Sequence, residues 1–500
     1  MAHVPVFGPQ KQKANGRSAP REAPPAQRRN RPPEPRRKGN TNSVHQCLRV
    51  RDRTRVRTTA LGSVDRIADT IGTESETLRL VMGATLMGIG TPTTAIPPRT
   101  AAPYNMAMTC RSFCSAVAFL ASLASSLGAQ PTSFTWPTST PSKVGLNPAV
   151  LDSLDAEIRA GKYGNIDRMV VIRRGRIVTD KTYPRDYDAI YGDSSRASAS
   201  LNNSHDPTGP FNYFNPWWHP TYRRGTLHTL QSVSKTVASA VIGVAVTRGE
   251  FPALDTPILT FWDTTTVANL DDRKRRITIR HLLTMTGGFD WNESIPYSDP
   301  RNTAGALEAS PDWVKFTIDR PMMREPGTQF NYSSGESALL AHIFFRATGV
   351  DIEEYAARHL FTPLGITNWH WKRTTSGAID TEGGLYLEAT DLARIWQLWL
   401  QGGRWNGTTV VSERWVRESV TPQIATSARA GAPKYGYKWW LYANPVQPDA
   451  FIWAGSGFGG QFPMAFPDQE MVVVFNAWNI SGGPTLPLRA VQERLIRATK

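Results

Sequence analysis

Apolar positions recur along the chain at two different periods, and their order predicts a mixed fold. Over 148–160 they fall at Leu151, Leu154 and Ile158, the spacing of one helix face. Runs rich in β-branched residues follow at 169–173 and 176–183, with Arg174-Gly175 between them as the turn of an antiparallel hairpin. The same texture returns at 437–442, 451–454, 461–466 and 471–477, before a last helical stretch at 486–498. The middle, about 230–430, reads as mainly helical with long loops. The pattern predicts an α/β (α+β) fold, in which an antiparallel sheet built from both termini of the folded region is flanked by helices. An all-helical subdomain is inserted between the two halves of the sheet. A cleft between the two parts is the expected place for a site.

Charge changes little once it is located. Of a formal +15, residues 1–105 hold 18 Lys+Arg against 7 Asp+Glu, so the rest of the chain carries only +4. The basicity belongs to the leader, and no nucleic-acid partner is expected for the folded part. Residues 9–60 are rich in Arg, Pro and Gln with no apolar period, which predicts disorder. The apolar piece 78–96 is broken by Gly83, Gly88, Gly90 and Pro92 and is too short for stable membrane insertion.

Residues 106–129 differ. One positive residue, Arg111, precedes an apolar run from Phe113 to Leu127, with Ser126, Gly128 and Ala129 at its end, the layout of a secretory signal peptide. Such peptides act at an N-terminus. Translation is therefore expected to start at Met106 or Met108, with 1–105 outside the native protein and the product secreted or periplasmic. The alternative is a short buried or membrane-anchoring helix behind a basic tail. Globular character begins at about 143 and continues to 500. All three cysteines (Cys47, Cys110, Cys114) precede residue 115, so the folded part has no disulfide framework and no thiolate nucleophile. The nine histidines are scattered, His281 among apolar residues as a structural group, and no metal or cofactor is implied.

Candidate chemistry begins at Ser232-Val-Ser-Lys235, where a strongly apolar helix starts. Lys235 follows Ser232 by three positions and shares its helix face. A hydroxyl there sits at the positive end of the helix dipole, and its backbone N–H can donate to a developing oxyanion. Burial among Val233, Val237 and Ala238 favours a neutral amine able to act as base. Alone, this spacing is more often an N-cap serine followed by a surface lysine. Ser234 is a weaker rival nucleophile, since it points away from Lys235. About a hundred residues on, Pro326-Gly327 makes a turn and Tyr332 falls in the connection before an apolar helix at 337–348. A tyrosine there can accept or relay the serine proton if a neighbouring lysine lowers its pKa; it can equally be a packed aromatic. Near the C-terminus, Gly455-Ser456-Gly457-Phe458 joins two apolar strands. Glycines in an edge strand let a ligand approach the backbone, and the Phe458 N–H is a second candidate oxyanion donor. A plain glycine-rich turn fits as well.

Ser232-x-x-Lys235, Tyr332-x-Ser334 and Gly455-Ser456-Gly457 together resemble, in order and spacing, the three motifs of the beta-lactamase-related serine hydrolases. That broad family includes class C beta-lactamases, D-Ala-D-Ala carboxypeptidases, esterases and 6-aminohexanoate (nylon-oligomer) hydrolases. The resemblance covers about 145–495 and includes 277–288, 383–393 and 435–440. It implies a beta-lactamase/transpeptidase-like fold, an acyl-enzyme on Ser232 formed with help from Lys235 and Tyr332, and a small-molecule ester or amide substrate. Two departures stand out: the family's Tyr-x-Asn is Tyr-x-Ser here, and its Lys-Thr-Gly is Gly-Ser-Gly. The missing lysine would have met a substrate carboxylate in lactamases and peptidases, which argues against efficient lactamase activity. The pattern is most similar to the nylon-oligomer hydrolase and esterase branches. In that branch a loop tyrosine contacts substrate, and Tyr297 matches it. Resemblance thus implies a hydrolase of esterase or amidase type. A binding or sensor module of the same fold is one alternative, and a D-Ala peptidase or beta-lactamase the other.

Overall fold

The computed structural model describes residues 134–196, 211–297 and 299–499. The leader at 1–105 and the signal-like stretch at 106–129 lie outside the described residues. Among the described residues, no helix is long and apolar enough to cross a membrane.

Strand β1 (Ile166–Arg173) is buried along nearly all its length because both faces of the sheet are covered. Successive side chains of a strand point to opposite faces. Val170 and Ile172 enter one core, while Met169 and Val171 enter the other. A left-handed pair, Arg174 (φ 51) and Gly175 (φ 69), turns the chain into β2 (Arg176–Thr182), the geometry that matches the twist of a two-residue hairpin. The remaining strands come late in the chain: β3 (Ile424–Ala425), β4 (Lys434–Tyr435), β5 (Trp440–Ala443), β6 (Phe451–Ala454), β7 (Phe462–Phe466) and β8 (Met471–Ala477). The sheet order is β2-β1-β8-β7-β6-β5-β4-β3, with antiparallel neighbours throughout. Residue Val170 faces Val474 and Ile172 faces Val472, so β1 and β8 join the two ends of the folded region one strand in from the β2 edge of the sheet.

Helix α1 (Pro148–Arg159) starts under an Asn147 side-chain cap with Pro148 in its first turn. It packs Leu151, Leu154 and Ile158 on one face of the sheet beside Val491 and Leu495 of the C-terminal helix Leu488–Arg497. The other face is covered by α2 (Val233–Thr247) and by a later helix, Ala389–Leu400, whose Ile395, Trp396 and Trp399 are fully buried. Helix α3 (Ser334–Thr348) belongs to the helical part and packs near α2.

Three expectations are corrected. The strand expected over 437–442 begins only at Trp440, because Lys438 takes a left-handed backbone (φ 64) and breaks the alternation. The middle of the chain is not all helical. It contains a three-stranded sheet of His228–Thr229, Leu385–Leu387 and His370–Trp371, the hairpin at 404–409, and β3 of the main sheet. These strands are two or three residues long, too short to show a period. Finally, β6, which leads into Gly455-Ser456-Gly457, is an internal strand rather than an edge. Its pairing with β5 stops at Ala454–Trp440, so only the glycine stretch beyond runs past its neighbour.

Candidate active site

The turn that delivers Ser232 is strained. Leu230 N bonds to the Leu385 carbonyl (2.9 Å), pinning the chain to the small sheet, and Gln231 then adopts φ 49 before the helix starts. A left-handed non-glycine residue costs about 1 kcal/mol. Ser232 occupies the N-cap position of α2 and is 3% exposed. Every residue from Val233 to Ala245 is buried, which makes α2 an interior helix, covered on all sides.

Lys235, 1% exposed, donates from Nζ to Ser232 Oγ (3.1 Å), to the Glu382 carbonyl oxygen (2.7 Å) and to Glu382 Oε2 (3.1 Å). The Tyr332 hydroxyl also hydrogen-bonds Ser232, and its ring lies 5.2 Å from Lys235 Nζ and stacks on Trp440. Burial, reinforced by the Glu293 carboxylate, holds the Tyr332 phenol well above its ordinary pKa despite the opposing bond to Ser232. The lowered pKa that would let Tyr332 accept the serine proton is therefore absent: Tyr332 stands as a phenol, a proton donor.

Ser334 opens α3, one residue after the capping hydroxyl of Ser333 and three residues earlier than the helix expected from sequence. Its Oγ lies 2.8 Å from Glu293 Oε1 and 3.1 Å from Glu382 Oε2, and its N–H donates to Glu293 Oε2 (2.8 Å). Glu293 also receives the Tyr297 hydroxyl (2.9 Å) and the Trp291 indole N–H (2.8 Å). The Tyr297 ring meets Phe458 edge-on at 5.6 Å. Tyr297 is thus gathered into the same buried network as Ser334.

The glycine stretch closes the opposite wall. A side chain at Gly457 would stand 2.5 Å from the Leu230 carbonyl oxygen, so glycine is what lets this strand lie against the chain entering Ser232. Gly455 is crowded by Val233, Trp396 and Pro463, each 3.1 Å from where its Cβ would be. Ser456 hydrogen-bonds the Tyr442 hydroxyl. Phe458 packs edge-on against Tyr213 and Trp478, and His219 stacks on Trp478 at 4.9 Å. Ser234, the rival nucleophile, accepts the Leu385 N–H (3.0 Å) and serves the small sheet. His281 closes a capping box with Thr278 at Ile279–Leu283, a structural task.

Several buried ionisable groups escaped the sequence reading, among them Glu293, Glu336, Glu382 and Lys438. Glu382 stands one position before Gly383-Gly384, and that adjacency was its one available signal. Lys438 Nζ has a thioether, Met285 Sδ, at 3.1 Å. Burial pushes this lysine down to about 7, Lys235 acts in the same direction and Glu336 opposes. Glu336 accepts the Gly287 N–H (3.0 Å), and burial raises it to about 8 against the pull of Lys438. A carboxyl held near 8 when folded and at 4.5 when unfolded binds an extra proton in the native state between those values. Its stabilising contribution is therefore complete below about pH 4.5 and fades as pH rises to 8. Relative to Glu336→Gln, the wild type should lose on the order of 3 kcal/mol of unfolding free energy between pH 5 and pH 8. Urea unfolding at the two pH values reads this directly, and a difference that stays constant would remove Glu336 as the titrating group.

Comparison with known proteins follows the same lines. The family profile described as beta-lactamase matches residues 168–497. Over 276 residues the chain is 26% identical to the 6-aminohexanoate-dimer hydrolase of Paenarthrobacter ureafaciens, covering 50% of this chain and 66% of that one. Over 117 residues it is 30% identical to the monacolin J acid methylbutanoyltransferase of Aspergillus terreus, covering 23% of this chain and 28% of the transferase. The chain thus spans less than two thirds of the length of these curated relatives. A family VIII carboxylesterase of known structure superposes with a TM-score of 0.52 at 16% identity, covering 73% of this chain and 99% of that one, which is a likeness of fold.

Proposed function

The chain belongs to the beta-lactamase family, and from that membership we propose a serine hydrolase that cleaves an ester or amide bond through an acyl-serine intermediate. Ser232 is its nucleophile and Lys235 its base. The observation that carries the reading is the 3.1 Å contact of Lys235 Nζ with Ser232 Oγ at the start of a buried helix. Ser232 Oγ attacks the acyl carbon while its proton passes to Lys235. The oxyanion forms at the positive end of α2, where the Ser232 N–H and, from the turn between β6 and β7, the Phe458 N–H donate to it. Tyr332, a phenol, protonates the leaving group, and water then releases the acyl group. Ser334, Ser456 and the backbone of Gly455 and Gly457 form the substrate-facing walls, with Tyr297 beside them.

The 455–457 segment carries no cation for a carboxylate beside the scissile bond, which favours simple esters and amides over beta-lactams and D-Ala peptides. The names of the aminohexanoate hydrolase and the carboxylesterase support the same choice. One observation favours a second reading, a sensor that acylates without turning over: Ser232 is 3% exposed, which restricts water. Export through 106–129 belongs to the same proposal and is checked by N-terminal sequencing of protein recovered outside the cell. A fluorophosphonate probe combined with a panel of p-nitrophenyl esters, aminohexanoate oligomers, D-Ala peptides and nitrocefin decides between the readings. Labelling is expected, with p-nitrophenyl esters turned over at least about tenfold faster than nitrocefin, a one-contact difference. Labelling without turnover would establish the sensor, and no labelling would sink the hydrolase.

A further inference from the structure

The turn 380–384 is built to present one residue to the amine of Lys235. Asp380 Oδ1 accepts the N–H groups of Glu382 (3.1 Å) and Gly383 (2.9 Å), fixing the backbone of Glu382. From that fixed backbone Glu382 offers both its carbonyl and its carboxylate to Lys235 Nζ. Its Oε2 also lies 3.1 Å from the Ser334 hydroxyl, and the residue is 2% exposed. We propose that Glu382 is the third member of a Ser232–Lys235–Glu382 triad, a positioning residue that aims the amine at Ser232 and keeps negative charge beside it. The proposal rests on the serine-hydrolase reading above.

Donor accounting supports it. A neutral lysine has two N–H donors and one lone pair. In the resting ion pair the ammonium donates to all three oxygens; once it has given up a proton, the two acceptors of Glu382 occupy its two remaining donors, which turns the lone pair to the third contact, the Ser232 hydroxyl. In acylation the Ser232 O–H bond breaks, the proton joins the Lys235 lone pair, and Oγ bonds to the acyl carbon as the carbonyl π pair moves onto oxygen. When that pair returns, the bond to the leaving group breaks and the leaving group departs with a proton from the Tyr332 hydroxyl. Tyr332 recovers a proton from the Lys235 ammonium. Glu382 remains a carboxylate throughout. A base oriented by a third group is the general logic of catalytic triads. A pair that only neutralised buried charge would need no hydroxyl at its third vertex.

Several other groups face this amine. Asp380 and Lys438 act on or are acted on by Lys235 through their charge, as does Tyr435, and the Tyr332 ring covers it. Glu382 itself is faced by Lys372, Glu308, Tyr213 and Tyr297. Glu382→Gln keeps all of these and the main-chain carbonyl, and removes only the carboxylate charge. The second-order rate of fluorophosphonate labelling is measured against pH for wild type, E382Q and E382D, with thermal melts to show that each variant is folded. Labelling of E382Q is expected to fall at least about a hundredfold. The pH midpoint of its labelling rate should also move, since the carboxylate charge beside the base is gone. E382D, which keeps the charge, should retain the wild-type midpoint and part of the rate; it carries the test if E382Q does not fold. E382Q labelling within threefold of wild type would overturn the triad. So would a reduced rate with an unmoved midpoint, which would make Glu382 a packing group. A wild type that does not label at all removes the hydrolase reading itself, an outcome distinct from both.

Discussion

Ser232→Ala abolishes covalent labelling by fluorophosphonate and lowers ester turnover by about 10⁴-fold or more, the scale on which removal of an acylated nucleophile acts. The size of the effect follows from what remains. The oxyanion site, Tyr332 and Lys235 survive the change, but the hydrogen-bond partners of Lys235 Nζ among the described residues are Ser232 Oγ and the two oxygens of Glu382, with no second hydroxyl to replace it. The control is Ser234→Ala. Ser234 Oγ accepts the Leu385 N–H at 3.0 Å in the small sheet. Its loss leaves that donor buried and should cost about 1–3 kcal/mol of stability while labelling persists. Mass spectrometry of the labelled protein gives the site of attachment. An adduct on Ser234, or an adduct on the Ser232→Ala variant, would overturn the assignment.

Lys235→Met acts on both activity and stability. Acylation loses its base, and the labelling rate should fall about a thousandfold. The stability loss comes from Glu382. Burial raises the pKa of this carboxyl, but the charge of Lys235, with that of Lys372 and the hydrogen bond from Lys235 added, brings it down to about 2. Removing one partner of a buried ion pair strands the other, at about 3–5 kcal/mol. The sign with pH is fixed. A carboxyl near 2 when folded and 4.5 when unfolded contributes stability above about pH 4.5 that is lost as pH falls toward 2. The deficit of K235M against wild type is therefore full at neutral pH and closes in acid. In the double variant K235M/E382Q no charge is stranded, and more than half of the lost stability should return without any return of activity. Denaturant unfolding of the four proteins in the cycle measures this coupling. Independent, additive losses would mean that the two side chains do not form the pair that the geometry shows.

Helices and the first hairpin are legible in the sequence where a residue's neighbours in sequence are also its neighbours in space. Ser232 and Lys235 are one helical turn apart, so their contact is fixed once α2 forms, and the apolar run after Lys235 guarantees that it forms in the interior. The β1–β2 hairpin is equally local, since Arg174-Gly175 sets both the turn and the register. Boundaries failed where backbone conformation overrode the apolar pattern. Lys438 is one such case, a lysine in left-handed backbone that delays β5 until Trp440.

Glu382 marks the limit of that reading. In sequence it is a lone carboxylate before two glycines, with nothing to connect it to a lysine 147 residues earlier. The connection is made by the antiparallel pairing of His228–Thr229 with Leu385–Leu387, which lays the 380–384 turn beside the start of α2. Glu293 and Ser334 meet in the same way, across 41 residues and through a loop, and Glu336 and Lys438 face each other from α3 and the turn before β5. The sequence by itself determined the elements and the serine–lysine pair, because helix periodicity and turn chemistry act over a few residues. Which charged groups surround that pair, and hence whether Tyr332 stands as phenol or phenolate, was decided only by the tertiary structure. Burial and electrostatics depend on what non-local strand pairing brings within a few ångströms, and no local pattern encodes that distance.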